Sequence, residues 1–251
     1  MFAEILQKGL YATKIAPGTD SIPVLGLVIL VIGSYLLGSL NSAVIVSRLL
    51  YREDVRTKGS GNAGLTNMYR NYGKIGALFT LLGDLLKTVL AVGLTGLFFG
   101  FYYRTALSFS PACYIAAIMC VVGHIKPIFY GFRGGKGMLC ASVAILMLAP
   151  PVFGFLFVAF VVIVAMTKYI SLGSILTAGF LPLALQGYMQ AFLYSGEEEG
   201  FFEGGIVLFG FVFAVIIILC HRANIGRLWR HEENKFSFHR GEKTEKKNDK
   251  Q

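Results

Sequence analysis

Long stretches of this chain carry almost no charge, and they recur at membrane-spanning length. Residues 21–50 hold one charge, Arg48, and residues 75–103 hold only Asp84 and Lys87. Residues 112–125, 138–166, 169–195 and 204–220 hold none. A helix needs about 20 apolar residues to cross a bilayer core, so most of these stretches are long enough to span it. The segment 138–166 is ambiguous, because it is long enough for one tilted helix or for two short ones. Its centre reads Ala149-Pro150-Pro151. Proline disfavours helix continuation and pushes the residue before it out of the helical region, so the pattern predicts a break there.

The placement of charge decides the count. Six Lys and Arg fall in residues 48–74, two in 133–137 and nine from Arg222 onward, while residues 195–203 are acidic. Basic loops face the cytoplasm. Two crossings within 138–166 put every basic loop inside and the acidic one outside, whereas a single crossing reverses the tail. The expected fold is therefore an all-α integral membrane protein with seven transmembrane helices, its N-terminus outside and its C-terminus cytoplasmic. Residues 1–20 form an extracytoplasmic segment in this reading, without the continuous apolar run of a cleavable signal. Residues 21–221 form the membrane domain, and 222–251 a basic cytoplasmic tail whose lysine-rich end is expected to be disordered and to lie on anionic lipid.

Composition agrees with that class. The 251 residues are 55% hydrophobic and 15% charged, against roughly 25% charged in soluble domains. The four cysteines lie in or beside apolar stretches without metal-type spacing and are expected as small buried hydrophobes. The reading calls for no metal, no cofactor and no nucleic-acid partner.

The inner loops hold more than topology requires. Residues 56–74 mix glycine, hydroxyls, amides and cations with no acid, the donor types that suit phosphate. The loop GFRGGKGM, residues 131–138, is glycine-rich and cationic. It does not have Walker A spacing. His124 and Lys126 lead into it, Lys168, Ser171 and Ser174 follow, and His221, Arg222, Asn224 and Arg227 close the last span. Each cluster also has a plain reading as a turn, a solvated loop or a packed helix end. Asp84 and Lys87, three residues apart inside a span, are either a site or a mutual pair. All four clusters stand at inner ends of different helices, which points to one inward-facing pocket for a phosphorylated substrate. No HxxxxD box or GxSxG elbow is present.

These motifs, in order from residue 35 to about 235, resemble the bacterial acyl-phosphate:glycerol-3-phosphate acyltransferase family. The carriers are Gly38-Ser39, Asp54-Val55-Arg56 with Gly59-Ser60-Gly61-Asn62 through Lys74, Gly123-His124 through Gly137, Tyr169 to Ser174, and His221-Arg222-Ala223-Asn224. The resemblance implies a seven-helix cell-membrane enzyme, its active site facing the cytoplasm. It would make 1-acyl-glycerol 3-phosphate and inorganic phosphate from glycerol 3-phosphate and acyl phosphate, the first step of phospholipid synthesis. By position it assigns Ser60, Gly61, Asn62, Arg70, Gly134, Gly135, Lys136 and Asn224 to substrate phosphate. It assigns His221, Ser171 and His124 to catalysis, without a covalent acyl-enzyme. The chain departs from the family pattern at Leu40-Asn41, Leu65, Thr88, Lys126, Met138 to Ala141 and His231. An organic-phosphate transporter is the alternative, disfavoured because the polar clusters lie at one membrane face rather than at the midplane.

Overall fold

The computed structural model describes residues 24–103, 111–192 and 201–236, all of them helix or connection, with no strand among them. The expected segment 1–20, the acidic residues 195–200 and the lysine-rich end fall outside the described residues.

Helices α1 (Val24–Ser39) and α2 (Ser42–Tyr51) divide a stretch whose apolar pattern reads as one span. The division is at Leu40-Asn41. Asn41 caps α2, its side-chain oxygen accepting the Val44 N–H at 3.1 Å, and its amide donates to the Ala63 carbonyl at 3.3 Å. Hydropathy does not register a polar cap that is satisfied inside the protein. Helix α3 (Leu65–Tyr103) is 39 residues long, but Gly73 (φ 70°, ψ −162°) breaks it. Residues before the break belong to the basic loop region and those after it to the apolar span, where the charge pattern changes.

Helix α4 (Pro111–Ile125) lies backbone to backbone on α1. A Cβ on Gly38 would fall 2.1 Å from the Cys120 carbonyl oxygen, and one on Gly123 would fall 2.2 Å from the Tyr35 carbonyl oxygen. Small residues at such crossings substitute close packing for the hydrophobic drive that lipid does not supply.

Helices α5 (Met138–Leu148) and α6 (Pro150–Thr167) are separate and meet at Ala149, with proline in the first turn of α6, as its position predicts. Most of α5 is buried in the bundle, whereas Val152 is the buried residue of α6, which turns Phe153, Leu156 and Phe160 toward its neighbours and leaves much of its remaining surface exposed. Helix α7 (Ile170–Phe192) follows a left-handed turn at Lys168. Helix α8 (Phe201–Cys220) is bent by 60° from the short α9 (Arg222–Trp229).

Among the described residues, five helical segments are long and apolar enough to cross a membrane, and a sixth results if α8 and α9 are taken as one bent span. Helix α5 is apolar, but its 11 residues rise only ~17 Å. Length alone thus gives five or six spans, and the seven expected from charge requires counting α5 as a crossing. The main core gathers Val92, Tyr114, Leu148, Leu185, Phe213 and Ile217 from α3 through α8.

Candidate functional site

Two loops, residues 52–64 and 126–137, meet beside α5. In the first, Asp54 accepts from the Arg56 backbone N–H at 3.0 Å and from both arms of its guanidinium at 2.9 and 2.7 Å. Arg48 adds a bond at 2.9 Å. The hydrogen bonds from Arg56, working against burial, hold the Asp54 carboxyl well below the usual range. The remaining Arg56 nitrogen donates to the carbonyls of Tyr130 (2.7 Å) and Arg133 (3.1 Å). Arg56 is thereby spent on tying the two loops together.

Asn67 organises the turn that presents Ser60. Its amide donates to the Val55 and Lys58 carbonyls, and its oxygen accepts the Ser60 N–H at 3.1 Å. Gly59 sits there at φ 58°, and a Cβ on it would fall 2.5 Å from the Asn67 oxygen. The family pattern contains Asn67, but its role as the frame of the loop does not follow from spacing.

The second loop packs on His124. The N–H groups of Gly134 and Gly135 donate to the carbonyls of Ile125 and His124. A Cβ on Gly135 would fall 2.1 Å from His124 Nε2. The His124 ring is held from below by Lys87, whose ammonium lies 2.9 Å from Nδ1 and 2.7 Å from Asp84. Asp84 and Lys87 are 1% and 4% exposed and form a mutual pair, and Asp84 also lines the cavity that these loops border. Asp84, His124 and Cys140 bring ligand-type atoms within 4.8 Å of one another, with the Lys87 ammonium already supplying positive charge beside them.

Lys136 leaves this loop and donates a hydrogen bond to the side-chain oxygen of Asn224. Burial, aided by the Arg227 and Arg70 charges and opposed by Glu233, lowers the Lys136 ammonium to about 8. The Asn224 amide donates to Glu233 Oε1 at 2.8 Å, and Ser171 donates to the same oxygen at 3.0 Å. Arg227 donates to Oε2 at 2.7 Å. Burial works to raise the Glu233 carboxyl, but these three donors outweigh it and set it below its ordinary value. His221 stands at the bend between α8 and α9, with Nδ1–H donating to the Ile217 carbonyl at 2.8 Å. Its Nε2 is then the ring nitrogen with a free lone pair.

A cavity of about 680 Å³ collects these groups. Ser60, Asn62, Arg70, His124, Lys136, Ser171, His221 and Asn224 all line it. Gly61, Gly134 and Gly135 do not. The two glycines of the second loop are placed where backbone and ring pack too closely for a side chain. Glu233 was not singled out in the sequence. It is one of five acids in the basic segment from Arg222 onward, and the hint it offers is the Glu232-Glu233 pair after Arg230. Residues 231–236, expected as part of the 222–251 tail, fold over the mouth: the Phe236 N–H donates to the Lys168 carbonyl at 2.7 Å.

Comparison with known proteins is consistent along the chain. A family model described as glycerol-3-phosphate acyltransferase matches residues 28–231. The glycerol-3-phosphate acyltransferase of Syntrophomonas wolfei is 37% identical over 203 residues, covering 81% of this chain and 93% of the relative. That of Chlorobaculum tepidum is 36% identical over 229 residues, covering 84% and 97%. The crystal structure of PlsY, an integral membrane glycerol 3-phosphate acyltransferase, in its glycerol 3-phosphate form matches with a TM-score of 0.70 and 29% identity, over 84% of this chain and 96% of that one. Its lysophosphatidic acid form matches with a TM-score of 0.69. With its helical membrane fold and the order of its motifs, the chain belongs to the glycerol-3-phosphate acyltransferase family.

Proposed function

We propose that this acyltransferase uses acyl phosphate as donor, and that both phosphates bind at the polar end of the cavity. The single observation that carries the reading is the joining of two chemistries in one space. Ser60, Arg70 and Lys136 stand at one end, and an apolar groove between α5, α6 and α7 continues from it.

In the proposed reaction the primary hydroxyl of glycerol 3-phosphate attacks the acyl carbonyl carbon. A new carbon–oxygen ester bond forms, and the carbonyl–phosphate bond breaks with its electron pair going to inorganic phosphate. The hydroxyl proton passes to a phosphate oxygen or to His221 Nε2, the nitrogen left available by the Nδ1 bond to Ile217. The donor arrives activated, so positioning and charge stabilisation carry the rate, and the cavity's supply of donors fits that demand. Ser60, Asn62, Arg70 and Lys136 hold phosphate, Ser171 and Asn224 orient the hydroxyl, and Glu233 fixes Ser171, Asn224 and Arg227 in place. His124 supports the glycine loop from beneath, its ring covered by Gly135.

The same proposal places the site at the cytoplasmic face, with the N-terminus outside, α5 counted as a seventh crossing and the basic segment after His221 inside. Positive residues on one face support it.

Purified protein supplied with acyl phosphate and glycerol 3-phosphate should release inorganic phosphate and lysophosphatidate in equal amounts. Turnover with acyl-CoA and none with acyl phosphate would overturn the donor assignment. Uptake of glycerol 3-phosphate into liposomes without phosphate release would favour transport.

A further inference from the structure

The apolar end of the cavity closes at a common depth on several helices. On α7 the lining residues Ser171, Ser174, Ala178 and Leu181 form one stripe at spacings of three and four. Leu181 stands ten residues beyond Ser171, ~15 Å along the helix. On α8, running the other way, Phe213 stands eight residues before His221, ~12 Å. On α5, Ile145 lies eight residues past Gly137, again ~12 Å.

The helices face each other in register. A Cβ on Gly173 would meet the Phe160 ring at 2.9 Å, and one on Gly210 would meet Leu185 at 2.8 Å. With the chain turning back at Lys168 between α6 and α7, and with Ser171 and Asn224 meeting on Glu233, these levels set α6 antiparallel to α7 and α7 antiparallel to α8, which brings Phe153 of α6 to the level of Leu181. Below that level Leu148 and Leu185 are fully buried in the core and do not line the cavity. Leu181 and Phe213 therefore form a floor.

The α7 wall is apolar in effect. The hydroxyls of Ser174 and Thr177 are spent on the carbonyls of Ile170 and Gly173, at 3.0 and 2.8 Å. One side lies open, because Leu146 and Phe157 line the cavity while 44% and 52% exposed. In a membrane that exposure is to lipid.

We propose that Leu181 and Phe213 set the acyl-chain length this enzyme prefers. A chain with its carbonyl at the polar mouth reaches the floor after ~12–15 Å. Chains that end there are enclosed by α5, α6, α7 and α8. Longer ones must turn out between Leu146 and Phe157 into the bilayer. The inference rests on the acyl-transfer reading of the site but not on the identity of the donor.

The test uses a ladder of 1-acyl-glycerol 3-phosphates of graded chain length, with affinity measured on the detergent-purified protein. Leu181→Ala deepens the floor and should move the tightest-binding lipid to a longer chain, with the long-to-short affinity ratio rising about tenfold. Ala178→Leu raises the floor and should move it to a shorter chain by a similar factor. Phe213→Leu, a milder change, should follow Leu181→Ala in direction and remains informative if the alanine variant does not fold. Opposite shifts support the floor. A proportional loss at every chain length in all variants, or an unchanged profile, would overturn it. Failure of acyl phosphate as donor appears separately, as absent phosphate release by the unaltered enzyme, and leaves this ladder readable.

Discussion

Lys136 and Asn224, 88 residues apart in the chain, are joined by a hydrogen bond from the ammonium to the amide oxygen. The bond fastens the glycine loop to the bend between α8 and α9. It also connects Lys136 through Asn224 to the Glu233 carboxylate. Replacing Lys136 with alanine should lower kcat/KM for glycerol 3-phosphate by at least about a hundredfold. Asn224→Ala should cost less than Lys136→Ala. The double variant should fall short of the product of the two, as expected for residues that act together. Steady-state phosphate release reads all three.

The pH profile follows from the same lysine. Burial lowers the Lys136 ammonium to about 8, so it is charged below that value and is lost as pH rises through it. Anion binding needs the charged form. KM for glycerol 3-phosphate should therefore climb above about pH 8, while Lys136→Arg, which keeps its charge, should flatten that alkaline limb. An alkaline limb unchanged by the arginine substitution would assign it to another group.

Arg56 makes the opposite prediction. Its nitrogens are taken up by Asp54, Tyr130 and Arg133, so it holds the two loops together and leaves phosphate to others. Arg56→Ala should lower Tm and kcat together. Arg56→Lys should fail to restore either, because an ammonium cannot make the paired bonds of a planar guanidinium. In a cycle with Asp54→Ala, the coupling should be about 1–3 kcal/mol. A variant with normal Tm and a raised KM alone would return Arg56 to the binding groups.

Glycines separate packing from freedom. Gly38→Ala and Gly135→Ala should each destabilise by about 1–3 kcal/mol, since the new Cβ would fall 2.1 Å from the Cys120 carbonyl oxygen and from His124 Nε2. Gly154→Ala in α6 meets nothing within 4 Å and should be neutral or slightly stabilising. Thermal unfolding in detergent distinguishes the three.

Much of this architecture is legible in the amino-acid order because the bilayer imposes a simple pattern. The uncharged stretches mark the helices, Ala149-Pro150 marks the break between α5 and α6, and the end of the basic run marks Gly73. The donor-rich clusters mark one face. Asn41 is harder to see, since its polar groups are satisfied by Val44 and Ala63 within a stretch that hydropathy averages as one span. Glu233 is harder still. A carboxylate read along the chain looks like part of a solvated tail, and only the fold shows Ser171, Asn224 and Arg227 converging on it. His231, where the family usually has glycine, adopts φ 56°, the left-handed conformation that glycine takes most easily. The departure in sequence thus keeps the turn that carries Glu233 into the site.

The central claim is that one cavity mouth, built from the Ser60 loop, the Lys136 loop and the α8–α9 bend, receives the substrate phosphate. The most direct measurement is a structure of this protein with glycerol 3-phosphate bound. The account predicts phosphate oxygens about 3 Å from Lys136 Nζ and within hydrogen-bond reach of Ser60 and Arg70. Phosphate seated instead in the surface pocket between Arg56 and Arg133, with Lys136 still bound to Asn224, would contradict it.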